Sequence, residues 1–373
     1  MKDTKLAVLL LSDVYESLQI EVVAKVLANK FDNFFVLYKG SKDAPIYHSL
    51  VSSGISRIRV INLDSISKIK LMRLAKNFFL AQNHSEIYCF ASGSHLTIPF
   101  ELLSRLRGAK EVVLYRHYAN LHELLGSKKG AIKDFLEEKF ATRILCASNT
   151  SKEALIQRGV NSSKITVIRY CVDLQPYTKV WNLNTHNKRS YDSTFKIGVV
   201  SRISKTKGIS LLLNAVQIVR QAIDFEVQVE IVGQPSDDTQ LAKDLKNGLW
   251  PFVKWIGFHK NPASLYQDWD LLAHLPVSKY AEGFGIVYVE ALASGIPCLF
   301  SRSGIINDLD FVAEGVTIID NLDVEYVAEQ ILENIRNREV YKAREFNADK
   351  FTSDRMFQEF ESMIETLLDS DRN

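Results

Sequence analysis

Short apolar runs alternate with stretches of helical periodicity along the chain, and the alternation starts a second time near residue 195. Runs such as KLAVLLLS and FKIGVVS are almost continuously apolar. Strands of a parallel sheet are covered on both faces and show such runs, whereas helices supply the crossover connections. The pattern predicts two α/β domains, each with a parallel sheet. The candidate strands span 5–12, 34–39, 57–62, 86–91, 111–116, 143–148 and 164–169 in the first half, and 195–201, 227–233, 253–258, 271–276, 296–301 and 316–320 in the second.

A polar stretch without clear periodicity, at 176–194, separates the two series of strands and is typical of an interdomain linker. We therefore predict an amino-terminal Rossmann-like domain over 1–178, a linker over 179–194 and a carboxyl-terminal Rossmann-like domain over 195–350. Residues 351–373 are predicted to form an amphipathic helix that packs back on the amino-terminal domain. Two doubly wound domains of this kind face a central cleft and bind ligands at the carboxyl ends of their strands.

Composition excludes several classes of protein. The chain has 373 residues, 46% of them hydrophobic, and no apolar run long enough to span a bilayer. Its first residues lack a cleavage site, which favours a buried strand over a signal peptide. The four cysteines have no metal-binding or redox spacing, which predicts reduced thiols in a cytoplasmic protein. Residues 1–190 carry 28 Lys and Arg against 16 Asp and Glu, and residues 191–373 carry 18 against 28, so the halves are expected to bind different partners.

The segment YAEGFGIVYVEALASGIP, at 280–297, combines a glycine turn with a helix. Gly283 and Gly285 allow a ligand to approach the backbone closely, and the helix begins with N–H groups that favour a phosphate. Glu282 and Glu290 can accept hydrogen bonds from paired hydroxyl groups. The segment therefore predicts a nucleotide sugar, whose phosphates lie between two hydroxyl-bearing groups. The alternative is a buried helix with one capping acid and one solvated glutamate.

Two cations follow the first strand of the second half, in VVSRISKTKGISLLLNAV. Arg202 and Lys207 leave the sheet at the carboxyl end of a strand, where doubly wound sheets bind ligands. A planar guanidinium and a compact ammonium together can hold a diphosphate. The alternative is a solvated basic turn, and the glycine turn downstream makes it the weaker interpretation.

The order of these motifs resembles that of retaining glycosyltransferases of family four, which have the GT-B fold. Arg202 and Lys207 come first, then Pro276, then the Glu-x7-Glu turn, and the likeness extends upstream to 146–174. It covers most of residues 110–320. The resemblance implies transfer of a hexose from a UDP-, GDP- or ADP-sugar to an acceptor with retention of configuration, in cell-surface polysaccharide or glycolipid assembly. It implies neither a metal cofactor nor a nucleic acid partner.

The resemblance also implies roles for individual residues. Arg202 and Lys207 would bind the diphosphate and stabilise the departing nucleotide, and Glu282 would lie near the donor sugar. His117 lies where the family often has an active-site histidine, although a buried structural histidine is the alternative. The expected catalytic residues are therefore Arg202, Lys207, Glu282 and His117. The expected donor-binding residues are Glu290 at the ribose, Gly283, Phe284, Gly285, Ile286 and Val287 at the sugar and phosphate, Gly257 and Phe258 with His259 at the nucleobase, and Ser12 and Asp13 after the first strand.

Several positions depart from the family pattern. The family's glycine-rich turn after the first strand is missing, because SDVYE at 12–16 stands there. Ser201, Cys171 and Ser303 stand where glycine is usual. The acceptor side therefore matches less well than the donor side, and the alternative function is a non-catalytic GT-B subunit that binds a sugar or a partner enzyme. The missing turn also excludes a dinucleotide dehydrogenase, whose glycine fingerprint follows the first strand.

Two acid pairs, Asp268 with Asp270 and Asp308 with Asp310, raise the question of a metal site. The first pair precedes a candidate strand and the second falls in a helix-like run. These positions favour capping and surface acids over metal ligands, and no other metal-ligand spacing occurs in the sequence.

Residues 65–82, SISKIKLMRLAKNFFLAQ, carry four cations and no acid at helical spacing. A basic amphipathic helix lies well on an anionic membrane surface. We therefore predict peripheral association with the inner leaflet and a lipid-linked acceptor. The alternative is an ordinary helix that packs on the sheet with solvated lysines. The positive charge of this half is increased by Arg105, Arg107, Lys110, Lys128 and Lys129.

Overall fold

The chain forms two compact units, each with its own parallel sheet and its own core. The first unit contains Met1–Val172 and Phe351–Asn373, and the second contains Asp173–Lys350. The computed structural model describes residues 5–12, 14, 16–53, 58–62, 73, 76, 86–92, 98–106, 108–118, 126–186, 194–309, 315–338 and 346–369.

The sheet of the first unit has seven strands, and every neighbouring pair is parallel. The strands are β1 Lys5–Ser12, β2 Asn33–Lys39, β3 Ile58–Asn62, β4 Glu86–Ser92, β5 Glu111–Arg116, β6 Arg143–Cys146 and β7 Ile165–Val167. Their order is β3-β2-β1-β4-β5-β6-β7. Residues 6–11 of β1 are at most 2% exposed, because helices cover both faces of a parallel sheet.

Helices connect these strands, as crossovers between parallel strands require. In the first unit they are α1 Leu18–Lys30, α2 Pro45–Ser52, α3 Ile98–Leu106, α4 Lys128–Phe140 and α5 Asn149–Gln157. Ser17 begins α1 by accepting a hydrogen bond from the N–H of Ile20 at 3.3 Å.

The sheet of the second unit has six parallel strands. They are β8 Thr194–Val200, β9 Glu226–Val232, β10 Val253–Gly257, β11 Leu271–His274, β12 Cys298–Ser301 and β13 Val316–Ile319. Their order, β10-β9-β8-β11-β12-β13, reverses direction between β8 and β11. The loops that follow these two strands therefore diverge, and they open the crevice in which doubly wound sheets bind ligands.

The second unit begins with a helix that the sequence analysis missed. The second unit contains α6 Gln175–His186, α7 Ile209–Ala222, α8 Thr239–Lys246, α9 Ala263–Tyr266, α10 Ile286–Ser294 and α11 Val324–Arg336. Helix α6 occupies positions that we assigned to the end of the first domain and to the linker. Its Tyr177 and Val180 are 5% and 4% exposed, and α6 packs against α9 and α10. Two apolar side chains three residues apart form one buried helical face in an otherwise polar stretch.

The last helix, α12 Ser353–Asp369, belongs to the first unit. It packs against α1, and the ring centroids of Phe360 and Phe90 lie 6.3 Å apart. Lys30 of α1 pairs with Glu361 and Glu365 at 2.8 and 2.6 Å. The chain therefore returns to the unit in which it began.

The cysteines take no part in disulfides. Cys89, Cys146, Cys171 and Cys298 are free and buried, and burial raises the pKa of Cys89 to about 12. Within the described part of the chain, no helix is long and apolar enough to cross a membrane.

Candidate active site

The loops after β8 and β11 bring three of the predicted catalytic side chains to the point where the strand order reverses. Arg202 and Lys207 follow β8, and Glu282 follows β11. Because β8 and β11 are neighbours, their carboxyl ends lie side by side. Residues 75 positions apart in sequence therefore come into contact.

Gly208 allows the loop after β8 to lie directly against the end of β11. Its φ is +67°, and a Cβ there would lie 1.9 Å from the carbonyl oxygen of Leu275. The N–H of Val277 donates to the carbonyl of Thr206 at 3.0 Å, so the two loops also share a backbone hydrogen bond. Only glycine permits both the left-handed backbone and this close approach.

Glu282 is held by two donors on the same oxygen. Lys207 Nζ lies 2.5 Å and His274 Nε2 lies 2.8 Å from Glu282 Oε1. The side chains of Lys207 and Glu282 are each 12% exposed, and that of His274 is 2% exposed. Among the described residues none hydrogen-bonds Oε2 of Glu282, which leaves that oxygen to accept from a ligand.

The charges of this cluster follow from burial and pairing. Burial acts to raise the pKa of Glu282, but Lys207 and His274 outweigh it and the pKa falls to about 2. Burial lowers the pKa of His274 despite the nearby carboxylate. At neutral pH the glutamate is therefore ionised, and a neutral His274 donates its Nε2 proton to it.

Sequence reasoning did not identify His274. A signal was present, because it is the one ionisable residue in the apolar run LLAHLP at 271–276. Its ring packs edge-on against Tyr288, with centroids 4.9 Å apart, and its Nδ1 has no hydrogen-bond partner among the residues described. The imidazole is thus fixed with one nitrogen directed at Glu282.

The glycine turn before α10 is fastened to residues 303–305. The N–H of Glu282 donates to Ser303 Oγ at 2.9 Å, and the N–H of Ile305 donates to the carbonyl of Phe284 at 2.8 Å. Gly304 has φ +55°, and a Cβ there would lie 2.5 Å from the Phe284 oxygen. Ser303, a departure from the family pattern, therefore has a structural role in holding Glu282.

The predicted phosphate and sugar contacts lie at the start of α10. Gly285, with φ +81°, precedes the helix. Phe284 and Val287 are 2% and 8% exposed, so their side chains belong to the core, whereas Ile286 is 37% exposed. The first N–H groups of a helix have no intrahelical acceptor and favour an anion. The backbone here suits the predicted role, which remains a prediction for each residue, including the buried Gly283.

Glu290 lies at the middle of α10, and its carboxylate contacts two phenol groups. Tyr266 Oη lies 3.5 Å from Glu290 Oε2, and Tyr177 also hydrogen-bonds this carboxylate. Burial raises the pKa of Glu290 to about 7, against the two tyrosines, which lower it. Sequence reasoning missed both tyrosines, because they come from α6 and α9, far from Glu290 in the chain.

Two of the remaining predicted ligand-binding residues are exposed, and Gly257 and His259 are half-buried. Phe258, directly after β10, is 63% exposed, and Gly257 before it has φ +81°. Arg202 is also exposed. These positions leave an aromatic ring and a guanidinium available to a ligand. Ser12 ends β1, while its side chain and the whole of Asp13 lie outside the described residues.

His117 follows β5 in the first unit and has partners on both ring nitrogens. Nε2 lies 2.6 Å from Ser92 Oγ and Nδ1 lies 2.6 Å from Tyr170 Oη. Burial, with help from the neighbouring Arg116, lowers the pKa of His117 to about 4. The imidazole is therefore neutral at physiological pH, and its catalytic role stays a prediction.

The acid pairs and the basic segment complete the predicted features. Asp270 Oδ2 accepts from the N–H of Lys196, a residue within β8, at 2.8 Å. In the described part of the chain no three His, Cys, Asp or Glu side chains form a metal-binding group. The basic segment 65–82 lies outside the described residues except for Arg73 and Lys76, which are helical and exposed.

Comparisons with known proteins agree with this arrangement. Residues 184–351 match the family model "Glycosyl transferases group 1". A capsular polysaccharide biosynthesis glycosyltransferase, CapM of Staphylococcus aureus, is 27% identical over 255 residues, which are 63% of this chain and 65% of CapM. An N-acetyl-alpha-D-glucosaminyl L-malate synthase of Bacillus anthracis is 24% identical over 196 residues, 51% of each chain. The chain thus spans less than two thirds of these relatives.

Solved structures share the architecture over almost the whole chain. HepE of Anabaena, in complex with UDP, superposes with a TM-score of 0.70 at 18% identity and covers 97% of this chain and 100% of its own. The sucrose-phosphate synthase of Thermosynechococcus elongatus gives a TM-score of 0.69 at 15% identity, with 98% and 100% covered. The chain therefore has the GT-B fold of two Rossmann-like domains, and its residues 184–351 match the family model of the group 1 glycosyl transferases.

Proposed function

We propose that the protein transfers a sugar from a nucleotide diphosphate sugar to an acceptor with retention of configuration, in cell-surface polysaccharide or glycolipid assembly. The observation that carries this proposal is the cluster at the strand-order reversal. There, Arg202, Lys207 and Glu282 lie after β8 and β11, and the start of α10 follows directly. These groups provide positive charge and free N–H donors for a diphosphate and a carboxylate oxygen for a sugar hydroxyl.

The second unit would do most of the work on the donor. Negative charge develops on the diphosphate as the bond to the sugar breaks. Arg202, Lys207 and the first N–H groups of α10 would stabilise that charge, a contribution that is often the largest in catalysis. Glu290 would accept from the ribose hydroxyls, and Glu282 Oε2 would accept from the donor sugar. With two cations and a helix terminus in this role, we propose that no metal is required.

The relatives suggest which substrates to test first. CapM is named for capsular polysaccharide biosynthesis, and HepE has been solved with UDP and with UDP-glucose. UDP-sugars are therefore the first donors to try. We propose that the basic amino-terminal unit takes a sugar or lipid-linked acceptor, that His117 acts on the acceptor side, and that the protein associates peripherally with the inner leaflet.

Donor consumption tests the mechanism. Wild type should release nucleotide from its donor in the presence of EDTA, and Arg202→Ala should lose roughly a hundredfold or more of the rate, as expected for a charge-stabilising donor. Lys205→Ala, which changes an exposed lysine on the same turn, should keep the rate. Loss of activity in EDTA would refute the metal-free mechanism. Nuclear magnetic resonance of the product would identify an inverted anomer, which would refute retention.

A non-catalytic binding subunit is the second candidate, and the missing glycine turn after β1 favours it. Calorimetry and product analysis with UDP-, GDP- and ADP-sugars separate the two candidates. Binding of a nucleotide sugar without transfer to any acceptor from cell extracts would favour the subunit.

A further inference from the structure

Helix α4 of the first unit buries its acidic side chains and exposes its large apolar ones, which is the reverse of an ordinary surface helix. Its acids Asp134, Glu137 and Glu138 are at most 7% exposed. Its large apolar side chains Ile132 and Phe135 are 61% and 58% exposed. A surface helix normally buries its apolar face and exposes its charges. Both the burial of the acids on the inner side and the exposure of the apolar side chains on the outer side need an explanation.

The inward side is explained by a buried guanidinium. Arg116, the last residue of β5, is fully buried, and its NH groups lie 2.9 Å from Asp134 and 3.2 Å from each of Glu137 and Glu138. Arg158 adds a second cation, 2.9 Å from Glu138. The three acids of α4 thus pair with two guanidiniums inside the unit, and its lysines carry the charge on the outside.

The outward side forms a single stripe of lysines and apolar side chains. Lys128, Ile132, Phe135 and Lys139 follow one another at spacings of four, three and four residues, which places them along one helical face. Lys129 is exposed beside this stripe, and Lys139 Nζ lies 6.0 Å from the centroid of the Phe135 ring. No carboxylate among the described residues pairs with these three lysines.

We propose that this stripe of α4 docks the protein on an anionic lipid bilayer, with Ile132 and Phe135 in the boundary between headgroups and acyl chains and the lysines at the lipid headgroups. Apolar side chains flanked by unpaired lysines complement such a surface in both polarity and charge. A second copy of the chain fits less well, because a twofold contact through this stripe would bring like charges together. The stripe of α4 would thus be the surface through which the peripheral membrane association proposed above takes place. Docking through this stripe does not depend on glycosyl transfer.

Sedimentation of the full chain with vesicles tests the proposal. The vesicles contain phosphatidylcholine alone or with about 30% phosphatidylglycerol, at low and at high salt. Wild type should bind the anionic vesicles at low salt. Ile132→Ser/Phe135→Ser should reduce the partition coefficient at least about tenfold, since two apolar side chains leave the boundary. Lys128→Glu/Lys139→Glu should weaken binding to anionic vesicles by a similar factor.

Matched variants separate the stripe from general surface effects. Val51→Ser changes a side chain that is 58% exposed on α2, and Lys25→Glu/Lys42→Glu changes two exposed lysines of the same unit. Both should bind vesicles like wild type. Circular dichroism melting checks that each variant is folded, and donor binding in solution reports separately on the proposed transferase.

Three outcomes would overturn the assignment. The first is vesicle binding by Ile132→Ser/Phe135→Ser that equals wild type. The second is loss of binding only in Lys68→Glu/Lys70→Glu, which would assign docking to the segment at 65–82. The third is a wild-type dimer, measured without lipid, that Phe135→Ser converts to a monomer, which would make the stripe a contact between copies.

Discussion

Lys207→Met isolates the ion pair at the centre of the candidate site. The substitution keeps the length of the side chain and removes the charge that lies 2.5 Å from Glu282 Oε1. Glu282 then remains largely buried, and among the described residues only the side chain of His274 still hydrogen-bonds its carboxylate. Burial lowers the pKa of that histidine and keeps it neutral. Removing one partner of a buried pair is destabilising because the other charge is left uncompensated.

The size of the effect follows from the pKa of Glu282. The folded protein lowers this pKa from 4.5 to about 2, which corresponds to about 3 kcal/mol of stabilisation at neutral pH. Since His274 contributes a part, we expect Lys207→Met to lower the free energy of unfolding by about 2 kcal/mol. A carboxyl group whose pKa is lower in the folded protein stabilises the fold at pH values above its pKa in the unfolded chain. This stabilisation is lost as the pH falls toward the pKa in the folded protein. The difference between variant and wild type should therefore be full at pH 7 and shrink below pH 4.5.

Tryptophan fluorescence in urea measures the free energy of unfolding of the second unit, which contains Lys207 and Glu282. The tryptophans, at 181, 250, 255 and 269, all lie in the second unit, so their signal follows its unfolding alone. Lys205→Met, an exposed lysine on the same turn, is the matched control and should unfold at the wild-type urea concentration. Equal midpoints for Lys207→Met and Lys205→Met at pH 7 would refute the argument, as would a difference that does not shrink in acid.

Three further predictions concern the second unit. Glu290 has a pKa of about 7, and its carboxylate accepts hydrogen bonds from hydroxyl groups best when it is ionised. The affinity for a nucleotide sugar, measured by calorimetry, should therefore rise about tenfold between about pH 6 and about pH 8. The affinity of Glu290→Gln should not change over this pH range. Tyr177→Phe removes a donor that favours the ionised carboxylate, so the midpoint of that profile should move to higher pH, and an unchanged midpoint would exclude Tyr177 from this role. Gly198→Ala would place a Cβ 1.9 Å from the Trp269 ring, and it should lower the free energy of unfolding of the second unit by about 3 kcal/mol. Circular dichroism in urea measures this change. Wild-type stability would mean that the ring can move aside.

Several features could be predicted from sequence because their signals are local. The continuous apolar runs of the strands require burial on both faces, and they predicted the parallel sheets. The helices at 18–30 and 353–369 carry regular apolar spacing. The glycine turn before α10 and the cations after β8 were identified by residue type and order, and the GT-B fold follows from the resemblance that they carry.

Other features depend on which elements the tertiary structure brings together. His274 and Lys207 share one oxygen of Glu282 only because β8 and β11 are neighbours, a fact of sheet order that no local pattern contains. Helix α6 forms in a polar stretch because α9 and α10 offer a surface for Tyr177.

Helix α4 presents the sharpest contrast between sequence and structure. Residues 128–140 are helical. Which face points inward was decided by Arg116, a buried cation on a neighbouring strand. The residue sequence determines where apolar and charged groups lie around a helix, because that depends on spacing alone. The element against which the helix packs determines which of those groups is buried, because a charged side chain is buried only where a group of opposite charge pairs with it.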